Sequence, residues 1–263
     1  MRARLIESPP PAAWADVPGA HNWRGIGGYP AGPGRFTRGG VLFRSAGLAE
    51  LTAQGRRALA DLGLRAVIDL RSPDEAAAAP SAIGGLGLEV HSMPLFDAAA
   101  PDSQVLAPAR LEDIYWQLIE LSGARLAAVI HQIATGPNPV VVHCTAGKDR
   151  TGVVVALALE AVGVERAATI ADYAASEANL AGAWFDAVSA RYARAGVDPS
   201  TLAPHLLASP ASLMMAVLEH LDRAHGGAAA YLLANGLTPA ALASLQDRLV
   251  EARDPAEAPT WRP

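Results

Sequence analysis

The stretch from Val140 to Val164 constrains the fold of this chain more than any other. Val140, Val141 and Val142 are followed by the polar segment His143 to Gly152 and then by a second apolar run, Val153 to Val164. The first run is short and β-branched, as a buried strand is; the second, opening near Thr151, is long enough for a helix. In a strand, short polar loop and helix, the unpaired N–H groups of loop and helix start converge on an anion, aided by the helix dipole. Cys144 lies at the base of that cradle.

The flanking sequence supplies matching elements. Val41 to Arg44, Ala66 to Leu70 and Glu89 to Leu95 also read as short buried strands between turn residues. Helical patterns lie between them: Thr52 to Leu62, stopped by Gly63, and Leu111 to Ala134, broken at Ser122 and Gly123. Strands alternating with helices predict an α/β fold with a central, mainly parallel sheet flanked by helices. After Val164 only helical spacing is found, and Asn235-Gly236 with Thr238-Pro239 delimits the last helix. The 263 residues are read as a single domain, with a tail at 254–263 that frays.

Composition narrows the function. A net charge of −5 and a pI near 5.8 argue against nucleic-acid binding, so any anion site is local. Cys144 is the only cysteine, which excludes an intramolecular disulfide and a cysteine-rich metal site. Of the 21 basic residues only Lys148 is lysine, and it sits in the same loop. The first residues hold Pro9, Pro10 and Pro11 and lack a signal-peptide core, so a cytoplasmic location is expected, with secretion lacking a cleaved signal left open. Val153 to Val164 is too short to span a bilayer, so no membrane span is expected.

A lone cysteine is most often a small buried hydrophobe. In this loop a second role competes, because a helix start and nearby cations favour the nucleophilic thiolate. Arg150, six residues on, can return to the same centre and hold two phosphoryl oxygens with its planar fork, as lysine cannot. Gly147-Lys148 also suggests a nucleotide-binding loop, but Val142 stands where the first glycine is needed and Asp149 where Ser or Thr would hold Mg²⁺.

His143 to Gly152 resembles the signature H-C-x-x-G-x-x-R-[ST]-G of the cysteine-dependent tyrosine phosphatases, and Lys148-Asp149 is similar to the bacterial and fungal branch with H-C-x-x-G-K-D-R-T-G. Asn22 to Tyr29 resembles that branch's N-F-R-D-L-G-G-Y, with Trp23 for phenylalanine and Gly25 for aspartate. Phe43-Arg44-Ser45-Ala46, Asp69-Leu70-Arg71-Ser72 and the region Tyr231 to Leu249 extend the resemblance over most of the chain.

The resemblance implies that Cys144 attacks phosphorus and Arg150 binds the phosphoryl group. Thr145, Ala146, Gly147, Lys148 and Thr151 line the phosphate site, Thr151 bonding the departing sulfur, and His143 orients the loop. No metal or organic cofactor is implied. For the general acid the branch points to Asp149, with Asp97 and Asp102, on the loop Ala98 to Ala109 and its approach, as competitors. Helices within 165–235 would cover the site as a lid, although Trp184, Phe185, Tyr192, Met214 and Met215 at helical spacing also suit core packing. Arg44 and Arg71 follow strands and could support the loop or make structural ion pairs. The expected substrates are phosphotyrosine proteins, with broad specificity; a phosphoinositide phosphatase and a phosphate-binding pseudoenzyme are the rivals. The sequence does not fix an oligomeric state.

Overall fold

The computed structural model describes residues 16–96, 110–194, 196, 198 and 206–253. Asp97, Asp102 and the tail at 254–263 lie outside the described residues. Among the described residues five strands form the main sheet: β1 (Arg24–Gly25), β3 (Leu42–Ser45), β4 (Ala66–Asp69), β5 (Glu89–Ser92) and β6 (Val140–His143). Their order is β1-β3-β6-β4-β5, all parallel except β1, which pairs antiparallel with β3. Helices α1 (Ala53–Asp61), α2 (Pro73–Ala78), α3 (Leu111–Leu121) and α4 (Gly123–Thr135) connect the strands. After β6 come α5 (Asp149–Ala161), α6 (Arg166–Leu180), α7 (Ala183–Arg194), α8 (Ala211–His225), α9 (Ala228–Ala234) and α10 (Pro239–Leu249).

The period-2 alternation of the strands explains the layers. Leu42, Ile68, Val140 and Val142 face the larger core with α3 to α6 and α8 to α10, whereas Phe43, Val67 and Val141 face a smaller core around Leu48, Leu59 and Trp23. Trp23 stacks on Phe43 with centroids 5.1 Å apart. Helix α5 is buried on every side from Arg150 to Leu159, which accounts for its lack of a polar face. Local signals set the ends: Thr52 caps α1, Ser72 and Glu75 form a reciprocal capping box on α2, and Thr238 caps α10 ahead of Pro239.

Three sequence expectations need correction. Glu89–Ser92 is an exposed edge strand, Val90 being 56% accessible, because among the described residues only β4 pairs with it. The C-terminal third is not wholly helical: β7 (Val250–Ala252) pairs antiparallel with β2 (Arg35–Thr37), a partner too distant in sequence to be anticipated. Of the helical-spacing side chains, Met214 and Trp184 are buried but Met215 is exposed. No helix among the described residues is long and apolar enough to cross a membrane.

Candidate active site

The register of the parallel strands places Ser45, His143 and Asp69 side by side at their carboxyl ends, where ligands of open α/β sheets bind. The loop Cys144 to Lys148 leaves β6 at this edge and enters α5. Gly147 has φ +65°, and a Cβ there would lie 2.1 Å from the Ser45 carbonyl oxygen, so only glycine lets the loop pass over the end of β3.

Each loop carbonyl is taken up by the surrounding protein. Gly47 N–H donates to Thr145 O at 3.0 Å, and Asn22 Nδ2 to Ala146 O and Gly147 O, both at 3.0 Å. Arg44 Nη2 donates to Gly147 O at 2.7 Å, and Gly152 N–H to Lys148 O at 2.8 Å. The N–H groups of Thr145, Ala146 and Gly147 donate to no acceptor among the described residues. A loop with its carbonyls turned into the protein and its N–H groups unspent is a nest for an anion. Cys144 lies within it, 2% accessible.

Arg150, second residue of α5, is held end-on by Glu75 of α2: Nη1 donates to Oε2 at 2.7 Å and Nη2 to Oε1 at 2.8 Å. Glu75 also accepts from the Thr145 hydroxyl and, through its capping box, from Ser72 N–H at 2.9 Å. Burial pushes the Glu75 carboxyl up, but the Arg150 bonds and charge outweigh it and hold it at about 2. The Thr151 hydroxyl is buried with no hydrogen-bond partner among the described residues.

Asp149 opens α5, with its side chain about 25% accessible. Tyr115 OH donates to its Oδ1 at 2.8 Å, and the Lys148 ammonium lies 3.6 Å from the same oxygen. Lys148 is itself buried and donates to Ala208 O at 2.9 Å. Burial lowers the His143 pKa below its ordinary value, leaving it neutral. Its Nδ1 lies 3.3 Å from Cys144 O, which makes Nδ1 the protonated nitrogen; the 3.7 Å approach of Nε2 to Asp69 is therefore neither a hydrogen bond nor an ion pair.

Arg44 holds the loop from behind, whereas Arg71 is bonded beside it at the end of β4. Arg44 ion-pairs with Asp172 of α6, which also accepts from Arg24 Nε at 2.8 Å and Tyr29 OH at 3.1 Å. Burial alone would raise the Asp172 pKa, and Arg24 with Arg44 holds it below the usual carboxylate range. Two guanidiniums around one carboxylate leave net positive charge beneath the loop. Arg71 is bound bidentately by Asp69 and donates to Ala79 O at 2.8 Å.

Thus the structure brings together Cys144 to Thr151, His143, Arg44 and Arg71. Sequence reading missed Glu75, Asp172 and Tyr115 and the loop-holding role of Asn22; only Glu75 left a local trace, as the last residue of Ser72-Pro73-Asp74-Glu75, an S-x-x-E capping pattern. Among the described residues no group of His, Cys, Asp and Glu is arranged to hold a metal ion.

Residues 15–251 match the model of the family described as "Tyrosine phosphatase family". The triple specificity protein phosphatase PtpB of Mycobacterium tuberculosis is 35% identical over 191 residues, 60% of this chain and 67% of PtpB. A tyrosine-protein phosphatase of Nostoc commune is 32% identical over 229 residues, covering 81% of this chain and 75% of that protein. A relative from Cupriavidus necator is 32% identical over 252 residues, 88% of this chain and 90% of its own length. With the signature loop folded as an anion nest and the match running through nearly all the described residues, the chain belongs to the tyrosine phosphatase family.

Proposed function

We propose that this chain hydrolyses phosphotyrosine in proteins, with broad specificity, through a phosphocysteine intermediate on Cys144. One observation carries the reading: Cys144 lies in a loop whose carbonyls are all engaged by protein while the N–H groups of Thr145, Ala146 and Gly147 are not. Donors already aimed at a site of developing charge need no reorganisation during reaction.

In this mechanism the Cys144 thiolate forms an S–P bond as the bond from phosphorus to the leaving oxygen breaks. Asp149 gives that oxygen its proton. Glu75 occupies the Nη1–Nη2 edge of Arg150, so the phosphoryl oxygens are met by the Nε–Nη edge, still a two-point contact. The Thr151 hydroxyl donates to the sulfur when water displaces it from phosphorus. Cover is supplied by α7, where Trp184, Phe185 and Val188 with Leu206 and Leu207 pack beside Ala46 and Ala146 of the loop. Broad specificity is supported by the likeness to a relative called triple specificity.

The test is rapid acid quench of wild-type protein with labelled phosphotyrosine peptide, followed by a panel of phosphoserine peptides and inositol phospholipids. Label is expected on Cys144, Cys144→Ser is expected to be inactive, and chelator is expected to leave turnover unchanged. An active serine variant with chelator-sensitive hydrolysis overturns the reading; higher kcat/KM on inositol lipids than on every peptide reassigns the substrate.

A further inference from the structure

Three helices meet at the Asp149 carboxyl group. Tyr115 of α3 and Tyr173 of α6 are fully buried, their rings edge to face with centroids 5.9 Å apart and their hydroxyls 2.7 Å apart. Tyr115 OH lies 2.8 Å from Asp149 Oδ1. The Tyr173 ring reaches this place because Gly152 has no side chain: a Cβ there would lie 3.0 Å from Tyr173 Cδ2.

We propose that Tyr115, backed by Tyr173, is a positioning residue that fixes Asp149 Oδ1 as an acceptor, so that the transferable proton is carried on Oδ2. This rests on the reading of Asp149 as the general acid. Each phenol has one proton to donate, and an ionised carboxylate can only accept. The Tyr115 proton therefore goes to Oδ1 and that of Tyr173 to the Tyr115 oxygen. The Lys148 ammonium, 3.6 Å away, bears on the same Oδ1, whereas Oδ2 makes no hydrogen bond to another described residue. One oxygen is tied to the buried side and the other is left for the leaving group. Burial, together with the Asp149 charge, raises the pKa of both tyrosines, so Tyr115 keeps its proton and remains a donor throughout the cycle.

The thiolate electron pair forms S–P, the pair of the breaking P–O bond goes to the leaving oxygen, and that oxygen takes the proton from Oδ2. The Asp149 carboxylate so formed gains negative charge where Tyr115 already donates. Without Tyr115, the acid proton can settle on Oδ1, pointing away from the leaving group, and the new charge loses its donor.

The test measures kcat/KM, which reports steps through P–O cleavage, for a series of aryl phosphates differing in leaving-group pKa. For Tyr115→Phe a loss of about tenfold or more is expected on phosphotyrosine, the scale of a hydrogen bond to a charged group. A loss under about twofold is expected on the most acidic phenol, which needs no proton, so the slope against leaving-group pKa steepens. Tyr173→Phe should steepen it in the same direction but less. The variant combining Tyr115→Phe with Asp149→Asn should be no steeper than Asp149→Asn alone. An equal loss across the series, or an unchanged slope in both tyrosine variants, overturns the proposal. If Asp149→Asn steepens the slope and Tyr115→Phe does not, the proposal alone has failed; if Asp149→Asn leaves it unchanged, the acid reading has failed first.

Discussion

Replacing Glu75 by glutamine tests whether this carboxylate aims Arg150 or competes for it. Glu75 Oε2 accepts from Arg150 Nη1 and Ser72 N–H, while Oε1 accepts from Arg150 Nη2 and the Thr145 hydroxyl. The amide would turn its NH₂ to the Oε1 position, because a hydroxyl can rotate to accept and the Ser72 N–H cannot. Arg150 then keeps one bond and faces a donor with the other. A hydrogen bond to a charged group is worth about 1.5–3 kcal/mol, and a loss of about 2 kcal/mol expressed in the transition state is about thirtyfold in rate. The assay is kcat and KM on a phosphotyrosine peptide, with the loss expected in kcat because the fork must match the reacting phosphoryl group. A kcat within about threefold of wild type refutes the reasoning, as does a rise in kcat together with tighter vanadate binding, which would mean that Glu75 blocks the fork. The depressed pKa adds a stability signature. A carboxyl lowered to about 2 in the folded protein stabilises above its unfolded value, about 4.3, and that contribution is lost as pH falls from there towards 2. Melting of the wild type should show this acid loss, and Glu75→Gln should lack its share.

Arg150→Lys keeps the charge but loses the planar fork and the Glu75 clamp; kcat should fall at least about a hundredfold with a smaller change in KM, and a near-normal kcat would place the clamp elsewhere. Gly147→Ala forces a Cβ to 2.1 Å from Ser45 O at a φ of +65°, so the loop must shift; a melting temperature and kcat both close to wild type would show that the nest tolerates this displacement. Asp172→Asn leaves Arg24 and Arg44 buried without their counter-charge, and urea unfolding should show a loss of about 3–5 kcal/mol, whereas a loss below about 1 kcal/mol would mean that the neighbouring carbonyl acceptors suffice.

What could be read from the sequence was local. Val140 to Gly152 reads as strand, loop and helix because its hydrophobicity, its turn chemistry and the lone Cys144 agree within one short segment. The breaks at Ser122-Gly123 and Asn235-Gly236 and the cap at Thr238 were equally legible, since capping involves neighbours in the chain; Thr52, read as the first helical residue, is the cap of α1. The partners of the site were not. Glu75 meets Arg150 across 75 positions and Asp172 meets Arg44 across 128, and a carboxylate on a helix reads alike whether it faces water or a guanidinium. Asn22 holds two loop carbonyls from a left-handed conformation, φ +51°, which a single sequence does not announce.

The captured carbonyls tie together two properties that are usually adjusted separately. Asn22, Arg44 and Gly47 hold the oxygen side of the loop against the protein as part of folding, so the entropy of ordering the nest is spent before any anion arrives. Oxyanions other than substrate, including the inorganic phosphate released at each turnover, meet the same ready-made site. Oxyanion affinity and global stability therefore draw on one set of bonds, and mutational drift that loosens the residues behind the loop would weaken both at once, even with every anion-facing group intact.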